Sequence, residues 1–369
     1  VVKARKTFRY RLYPTPAQAD TLTWALERCR ELYNAGLQER REAYRMCGVS
    51  VGYLHQQNQL PAIKGVRPEY KQIGSQVLQD VLRRLDKAFA AFFRRVKEGH
   101  PKPGYPGFKG RYRYNSLTFT QAGWKLNKRL RLSGVGALKI KLHRPVEGAI
   151  KTVTIKRDVD QWYVTFSCEA EIEPAPIQDK PAVGIDMGLE YYATLSDGTH
   201  IENPRHYRKA QDTIARRQRV MEQRRKGSGK CAKAGVLVRK AHRKVANQRR
   251  DMQHKVARRI VDTYGAVAVE DLNIAGMVQN HSLAKSISDA AWGHFIAILT
   301  SKAVSASVVV VAVNPSGTSQ TCSACGAKPE RAKTLADRWH TCACGCSLQR
   351  DVNAARNILN RAGLARQVA

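Results

Sequence analysis

The chain has 369 residues, 43% of them hydrophobic, and a formal net charge of +34. That length and apolar content exclude a disordered tail and allow two or more domains with real cores. A charge this large destabilises a compact chain by self-repulsion unless a polyanion neutralises it, and an excess of both Lys and Arg suits phosphate, so a nucleic acid is the expected partner.

The opening "TFRYRLY" alternates and predicts a strand over Thr7–Tyr13. Thr15 followed by Pro16 fits an N-cap and first helical residue. Leu22, Leu26, Cys29, Leu32, Tyr33 and Leu37 then recur on one face of a helix expected over Ala17–Met46. A second long helix is expected over Tyr70–Glu98, with Val77, Leu78, Val81, Leu82, Leu85, Phe89, Phe92 and Phe93 apolar. "HPKPGYPGFKGRYRY", His100–Tyr114, ends it with Pro and Gly. Its rings and cations suit either a nucleic-acid groove or an ordinary basic turn region. Alternating stretches predict strands at Leu117–Gln121, Leu130–Leu132, Ala137–Leu142, Lys151–Arg157 and Trp162–Glu173, which is material for an antiparallel sheet or barrel. "EPAPIQDKP", Glu173–Pro181, reads as a linker.

Beyond it, "AVGIDMGLEYYATLSDGTHIE" predicts a buried strand, a turn and a second strand. Between Arg205 and Arg259 stand twenty Lys/Arg against three acids, Asp212, Glu222 and Asp251. Two amphipathic helices with that excess are best explained by contact with phosphates. "KGSGK", Lys226–Lys230, lacks the phosphate-loop spacing and reads as a flexible turn between them. "GAVAVEDLN", Gly265–Asn273, is another buried strand ending in acids. A helix is expected over Asp289–Ala306, a strand over Ser307–Val313 and a last helix over Val352–Ala362. The longest apolar run, Ala303–Val313, is too short to span a bilayer and reads as a buried strand. No apolar signal segment opens the chain, so a cytoplasmic protein with no membrane partner is expected.

Three carboxylates stand out. Asp186 sits within the apolar strand "AVGIDMG", Glu270 ends "AVAVE", and Asp351 precedes "VNAARNIL". Asp351 taken alone fits a helix N-cap, and Glu270 with Asp271 a strand end. Asp186 resists such a reading, because an unpaired carboxylate inside a buried strand costs several kcal/mol. Three such acids converging from separate elements would hold two divalent cations about 4 Å apart, the arrangement for hydrolysing a phosphodiester. Hard oxygen ligands suit Mg²⁺ or Mn²⁺. The strand-turn-strand after Asp186 points to a ribonuclease H-like sheet.

Of the nine cysteines, Cys29, Cys47, Cys168 and Cys231 are scattered and five crowd into "CSACG", Cys322–Gly326, and "CACGC", Cys342–Cys346. That asymmetry argues for a metal in a reducing compartment rather than for disulfides. Two knuckles of thiolates joined by a short connection are a zinc pattern. Four ligands are needed and five cysteines are offered, with His340 a sixth donor.

The segments "RLYPTPAQ", "GIDMGL", "VEDLN", "SISDAAWGHF", "NPSGTSQTCSACG", "CACG" and "RDVNAARNIL" run in order along essentially the whole chain. Together they resemble the TnpB family, the RNA-guided nucleases of transposons and apparent ancestors of type V CRISPR effectors. The resemblance implies a multidomain α+β architecture. An antiparallel, oligonucleotide-binding-like wedge β-barrel (residues 1–15 and 99–178) would be interrupted by a helical recognition domain (16–98). A ribonuclease H-like (RuvC) α/β nuclease domain (181–318 and 347–369) would follow, holding a zinc-binding insert (319–346).

The same resemblance implies a mechanism. A guide RNA transcribed from the transposon end pairs with one strand of double-stranded target DNA, the protein reads a short motif beside the target, and the RuvC site cuts. The catalytic acids carry over as Asp186, Glu270 and Asp351, with two Mg²⁺ or Mn²⁺ ions. One structural Zn²⁺ falls to Cys322, Cys325, Cys342 and Cys344. The second knuckle is CxC rather than the family's commoner CxxC, so Cys346 stays an alternative ligand. Gln349 stands where the family often has Asp. Tyr53, Gln79 and Thr120 fall where the target-adjacent motif is read. Arg216, Arg217, Arg224, Arg225, Arg249 and Arg250 would meet the backbone of the guide or heteroduplex. A monomeric protein in the ribonucleoprotein is expected. A domesticated, nuclease-inactive DNA-binding repressor would be expected to lose RuvC acids, and here all three stand. A transposase or transposition accessory protein has no recombinase signature to support it.

Overall fold

The computed structural model describes residues 2–172, 180–329, 331, 333–334 and 336–364. The chain divides into two compact units, Val1–Ile172 and Glu173–Ala369. Most of the expected linker, residues 173–179, lies outside the described residues.

The first unit opens with β1 (Val2–Tyr13), longer at its start than its alternation suggests, because it pairs with a late strand along its whole length. Thr15 then caps α1 (Pro16–Cys47) through a reciprocal box: Gln18 N donates to Thr15 Oγ1 at 3.3 Å, and Thr15 N donates to Gln18 Oε1 at 3.0 Å. Two short helices missing from the sequence expectation follow, α2 (Tyr53–Asn58) and α3 (Leu60–Val66). The long helix expected over Tyr70–Glu98 is split. A 3₁₀ turn covers Pro68–Gln72, the backbone is extended at Ile73, and α4 (Ser75–Lys97) starts beyond Gly74. Leu22, Leu26, Cys29, Leu32 and Leu37 of α1 and Val77, Leu78, Val81, Leu82 and Leu85 of α4 are buried in one core, as the spacing predicts. The last turns of α4 leave that core: Phe93 is exposed and clusters with Phe92 and Phe89, which Tyr105 meets edge-on.

The remaining strands are β2 (Ser116–Phe119), β3 (Trp124–Leu126), β4 (Leu130–Leu132), β5 (Gly136–Lys141), β6 (Ala149–Asp158) and β7 (Gln161–Ile172). Of these only β3 was not expected. They form an antiparallel sheet in the order β2-β6-β7-β1-β5-β4-β3, a nearly closed barrel. Phe8, Tyr10 and Leu12 of β1 alternate inward onto Val153, Ile155, Val164 and Phe166, so one face of the sheet is core.

The second unit is built on β8 (Ala182–Met187), β9 (Tyr191–Leu195) and β10 (His200–Glu202). The basic hairpin of α5 (His206–Glu222) and α6 (Gly229–Thr263) comes next, with the predicted turn between. Then come β11 (Ala266–Glu270), α7 (Ile274–Met277), α8 (His281–Ala290), α9 (Trp292–Ala306) and β12 (Val309–Val313). A hairpin of β13 (Trp339–Thr341) and β14 (Ser347–Gln349) leads into α10 (Arg350–Arg361). The sheet order is β10-β9-β8-β11-β12, with β8, β11 and β12 parallel and β9 and β10 antiparallel.

Two expectations are corrected here. The helix over Asp289–Ala306 breaks at Ala291, which adopts φ 53°, and the preceding turns form a separate helix. The buried side chain of Gln253 stabilises the break. Its Nε2 donates to the carbonyls of Ala290 and Ala291 at 3.3 and 3.1 Å, and its Oε1 lies 2.7 Å from His294 Nδ1. The apolar run Ala303–Val313 is not one buried strand: its start closes α9, and β12 is an edge strand whose Val309 is exposed.

Candidate carboxylate and thiolate sites

The sheet of the second unit has two unlike faces, and the difference places the acids. Val183, Ile185 and Met187 of β8, with Val267 and Val269 of β11, are large and pack into the core formed with α6 and α9. On the other face stand Ala182, Gly184 and Asp186 of β8, beside Ala266, Ala268 and Glu270 of β11. The small residues admit α10 at backbone contact. A Cβ on Gly184 would lie 2.0 Å from the Ala355 carbonyl oxygen and 3.0 Å from Leu359 Cβ.

This packing sets a register. Leu359 lies over Ala182 and Ala266, and Ala355 lies over Gly184. Four helical residues rise about 6 Å, and two strand residues about 6.6 Å. One more step of each brings Asp351 to Asp186. Glu270 joins from the side: Ile185 pairs with Val269 across the parallel strands, so Asp186 and Glu270 are the next residues along.

The electrostatics agree. The Asp186 carboxyl is pushed up to about 8, first by removal from water and then by the charges of Glu270 and Asp351, while Arg350 pulls the other way. Burial also raises Glu270, opposed by a hydrogen bond from Thr318 and by Arg361. Asp351 is not the N-cap of α10, which is Gln349; it lies in the first turn, where the helix dipole favours an anion. Three half-buried carboxylates, two of which raise the proton affinity of Asp186, form a donor set calling for cationic charge.

A pH dependence follows. Between about pH 4 and about pH 8 the folded chain keeps a proton on Asp186 that the unfolded chain has released. Stability without added divalent ions therefore falls as pH rises through that window and levels off above it. Asp186→Asn should show a flatter melting profile from pH 5 to 8 and melt higher at pH 8. An unchanged slope would remove Asp186 as its cause.

The cysteines resolve into one group. The sulfurs of Cys322, Cys325, Cys342 and Cys344 lie within 4.8 Å of one another, with Cys322–Cys344 at 3.7 Å and Cys325–Cys342 at 3.5 Å. Thiolates about 2.3 Å from a tetrahedral zinc are about 3.8 Å apart, so the cradle fits that ion. Cys346 groups instead with Cys322 and the buried His340. Lys333 Nζ is hydrogen-bonded to His340 Nδ1. At Cys322 burial pushes the thiol up, but hydrogen bonds from His340 and from the backbone N–H groups of Cys325 and Ala324 prevail, and it falls to about 5.

The structure also places the residues singled out for nucleic acid. Gln76, Gln79 and Arg83 share one face of α4 at helical spacing. Thr120 lies 3.3 Å from Gln76 Oε1, and Arg83 donates to the Tyr53 hydroxyl at 3.2 Å. Thr120 and Tyr53 thus each meet a residue of α4, Gln76 and Arg83, while Gln79 lies beside Gln57, Asn58 and Lys64. Arg216, Arg224 and Arg225 are exposed on the basic hairpin. Arg249 is committed to Asp289 at 2.8 Å, and Arg217 to the Leu237 carbonyl at 3.0 Å, which ties the hairpin together. Arg250 is half-buried beside His294.

Sequence reasoning missed Thr318, Asn353 and Asn357. Thr318 is buried and its Oγ1 donates to Glu270 Oε1 at 2.5 Å. Asn357 Nδ2 donates to the carbonyls of Thr318 and Thr321, and Asn353 brackets Thr321 and Ser323. The asparagine spacing in "VNAARNILN" was the available signal, a polar stripe on a helix whose neighbours are apolar.

The fold of this chain, with its nearly closed antiparallel barrel and its mixed sheet, has a counterpart among solved structures. It matches a solved structure described as "Cryo-EM structure of the Cas12f1-sgRNA-target DNA complex" with a TM-score of 0.59 at 13% identity, over 96% of this chain and 98% of that one. Family models match in three segments: "Helix-turn-helix domain" at residues 4–48, "Probable transposase" at 165–281 and "Cas12f1-like, TNB domain" at 292–358. The first of these segments folds here as β1 and the single helix α1. A Streptomyces pristinaespiralis protein named "Putative RNA-guided DNA endonuclease" is 34% identical over 98% of this chain and 90% of its own length. Escherichia coli "Putative RNA-guided DNA endonuclease InsQ" is 28% identical over 97% and 92%. The chain belongs to the TnpB family.

Proposed function

We propose that the protein is an RNA-guided DNA endonuclease, with Asp186, Glu270 and Asp351 as its catalytic acids. The observation that carries this reading is the register of α10 on β8, which gathers three carboxylates on one face of the sheet. Two bound Mg²⁺ or Mn²⁺ ions would activate water and stabilise the leaving oxygen of the scissile phosphodiester. The protein's part is geometric and electrostatic. Asp186 and Glu270 hold fixed places on adjacent parallel strands, Asp351 closes over them on α10, and bound cations would draw the proton from Asp186 and offset the negative charge that repels a phosphate. Zn²⁺ in the thiolate cradle would hold residues 319–346 as an insert in a RuvC domain.

The exposed arginines of the α5–α6 hairpin are assigned to the phosphates of the guide RNA or its heteroduplex. The α4 face with Tyr53, Gln79 and Thr120 is assigned to the motif beside the target, within a wedge (1–15 and 99–178) and recognition (16–98) architecture. Among the described residues no helix is long and apolar enough to cross a membrane. The test is cleavage of matched double-stranded DNA in Mg²⁺ by protein purified with its co-expressed RNA. Cutting next to the guide-matched sequence is expected, and binding without cutting would favour the repressor reading instead.

A further inference from the structure

We infer that Thr318 is a positioning residue that orients Glu270 and couples the thiolate cluster to the carboxylate site. The inference rests on the nuclease reading above. Glu270 ends its strand, so backbone pairing does not fix its side-chain torsions. What holds the carboxylate is Thr318, whose hydroxyl donates to Oε1 at 2.5 Å and leaves Oε2 unclaimed by that bond. The same hydroxyl oxygen is 3.0 Å from the Pro315 carbonyl, and a single proton serves one acceptor at a time, so an ionised Glu270 takes it.

Thr318 is itself held. It is only 2% exposed, and its carbonyl accepts from Asn357 Nδ2 at 2.8 Å. Three residues on, the Thr321 carbonyl accepts from both Asn353 and Asn357 at 2.7 and 2.8 Å. The next residue is Cys322, where the first knuckle turns through Gly326 N to Cys322 O at 2.9 Å. The asparagines belong to α10, the helix that carries Asp351. One short segment, residues 318–322, therefore touches the Glu270 carboxylate, the helix of Asp351 and the first thiolate.

Thr318→Val keeps the shape and deletes the donor, and Thr318→Ser keeps the donor. Manganese affinity of the protein–RNA complex is read by electron paramagnetic resonance, alongside the Mg²⁺ concentration for half-maximal cleavage. Losing an outer partner of a metal ligand costs about 10- to 100-fold in affinity or activity. Thr318→Val is expected to weaken Mn²⁺ binding by at least about tenfold and to shift the Mg²⁺ requirement in parallel, with zinc content and DNA binding unchanged. Thr318→Ser should stay near the native values. Native Mn²⁺ affinity in Thr318→Val, or equal losses in both variants, would overturn the assignment. If the native protein binds Mn²⁺ but cuts nothing, the nuclease reading fails while the affinity comparison still decides the role of Thr318.

Discussion

Asp186→Ala is expected to abolish DNA cleavage while guide-RNA and target binding remain. Asp186 is the acid at which the three elements meet: its own strand carries it, Glu270 neighbours it on β11, and Asp351 lies over it on α10. Removing it takes away a donor shared by any pair of ions held there. The loss should exceed the roughly 100-fold upper range for removing an outer partner. The fold should survive, because the substitution removes a carboxyl that burial and like charges already disfavour, and an alanine two residues from Gly184 adds no bulk under α10. The basic hairpin and the α4 face are untouched, so binding measured by gel shift should hold. Native-rate cutting by the variant would sink the active-site assignment, whereas loss of binding together with cutting would place Asp186 in the fold instead.

Cys322→Ser is expected to release the zinc and unfold the insert. Structural zinc in small finger peptides contributes about 10–16 kcal/mol of apparent folding energy, and residues 319–349 have little other core to replace it. Among the described residues their strands are β13 and β14, three residues each, paired as a hairpin. Metal content should fall from one zinc per chain to well under a tenth, and limited proteolysis should cut first within 319–349. Cys342→Ser and Cys344→Ser should behave alike, since their sulfurs close the tetrahedron at 3.5 and 3.7 Å. Cys346→Ser is the discriminating control and should retain its metal. Equal zinc loss from Cys346→Ser would move the fourth ligand to Cys346 and leave Cys342 as the spare thiol.

Much of this was legible in the sequence, for reasons that differ by element. The core stripes of α1 and α4 obey helical periodicity, and the alternation of β6 and β7 obeys the strand period, so α1, β6 and β7 were placed within two residues, while α4 starts five residues later than expected. The breaks were not. Ala291 takes a left-handed conformation that composition disfavours, and it is held there by Gln253, a residue on another helix. The short helices α2 and α3 carry too few turns to show a period. The edge position of β12 depends on sheet order, which no local pattern encodes.

The sites divide in the same way. Chemistry is local: a carboxylate in an apolar strand and five cysteines in two knuckles declare themselves because each is costly or reactive without a partner. By itself the sequence therefore determined which acids and thiols to suspect, that the partner is polyanionic, and the order of the elements. Only the tertiary structure decided which of them meet. Gly184 lets α10 lie on β8 in the register that brings Asp351 to Asp186. The sulfurs of Cys322, Cys325, Cys342 and Cys344 gather in one cluster, and Cys346 falls beside His340 instead. Thr318 reaches Glu270 from 48 residues away. Each of these depends on distances of a few ångströms between segments remote in the chain, and such distances arise from packing rather than from any residue's own preference.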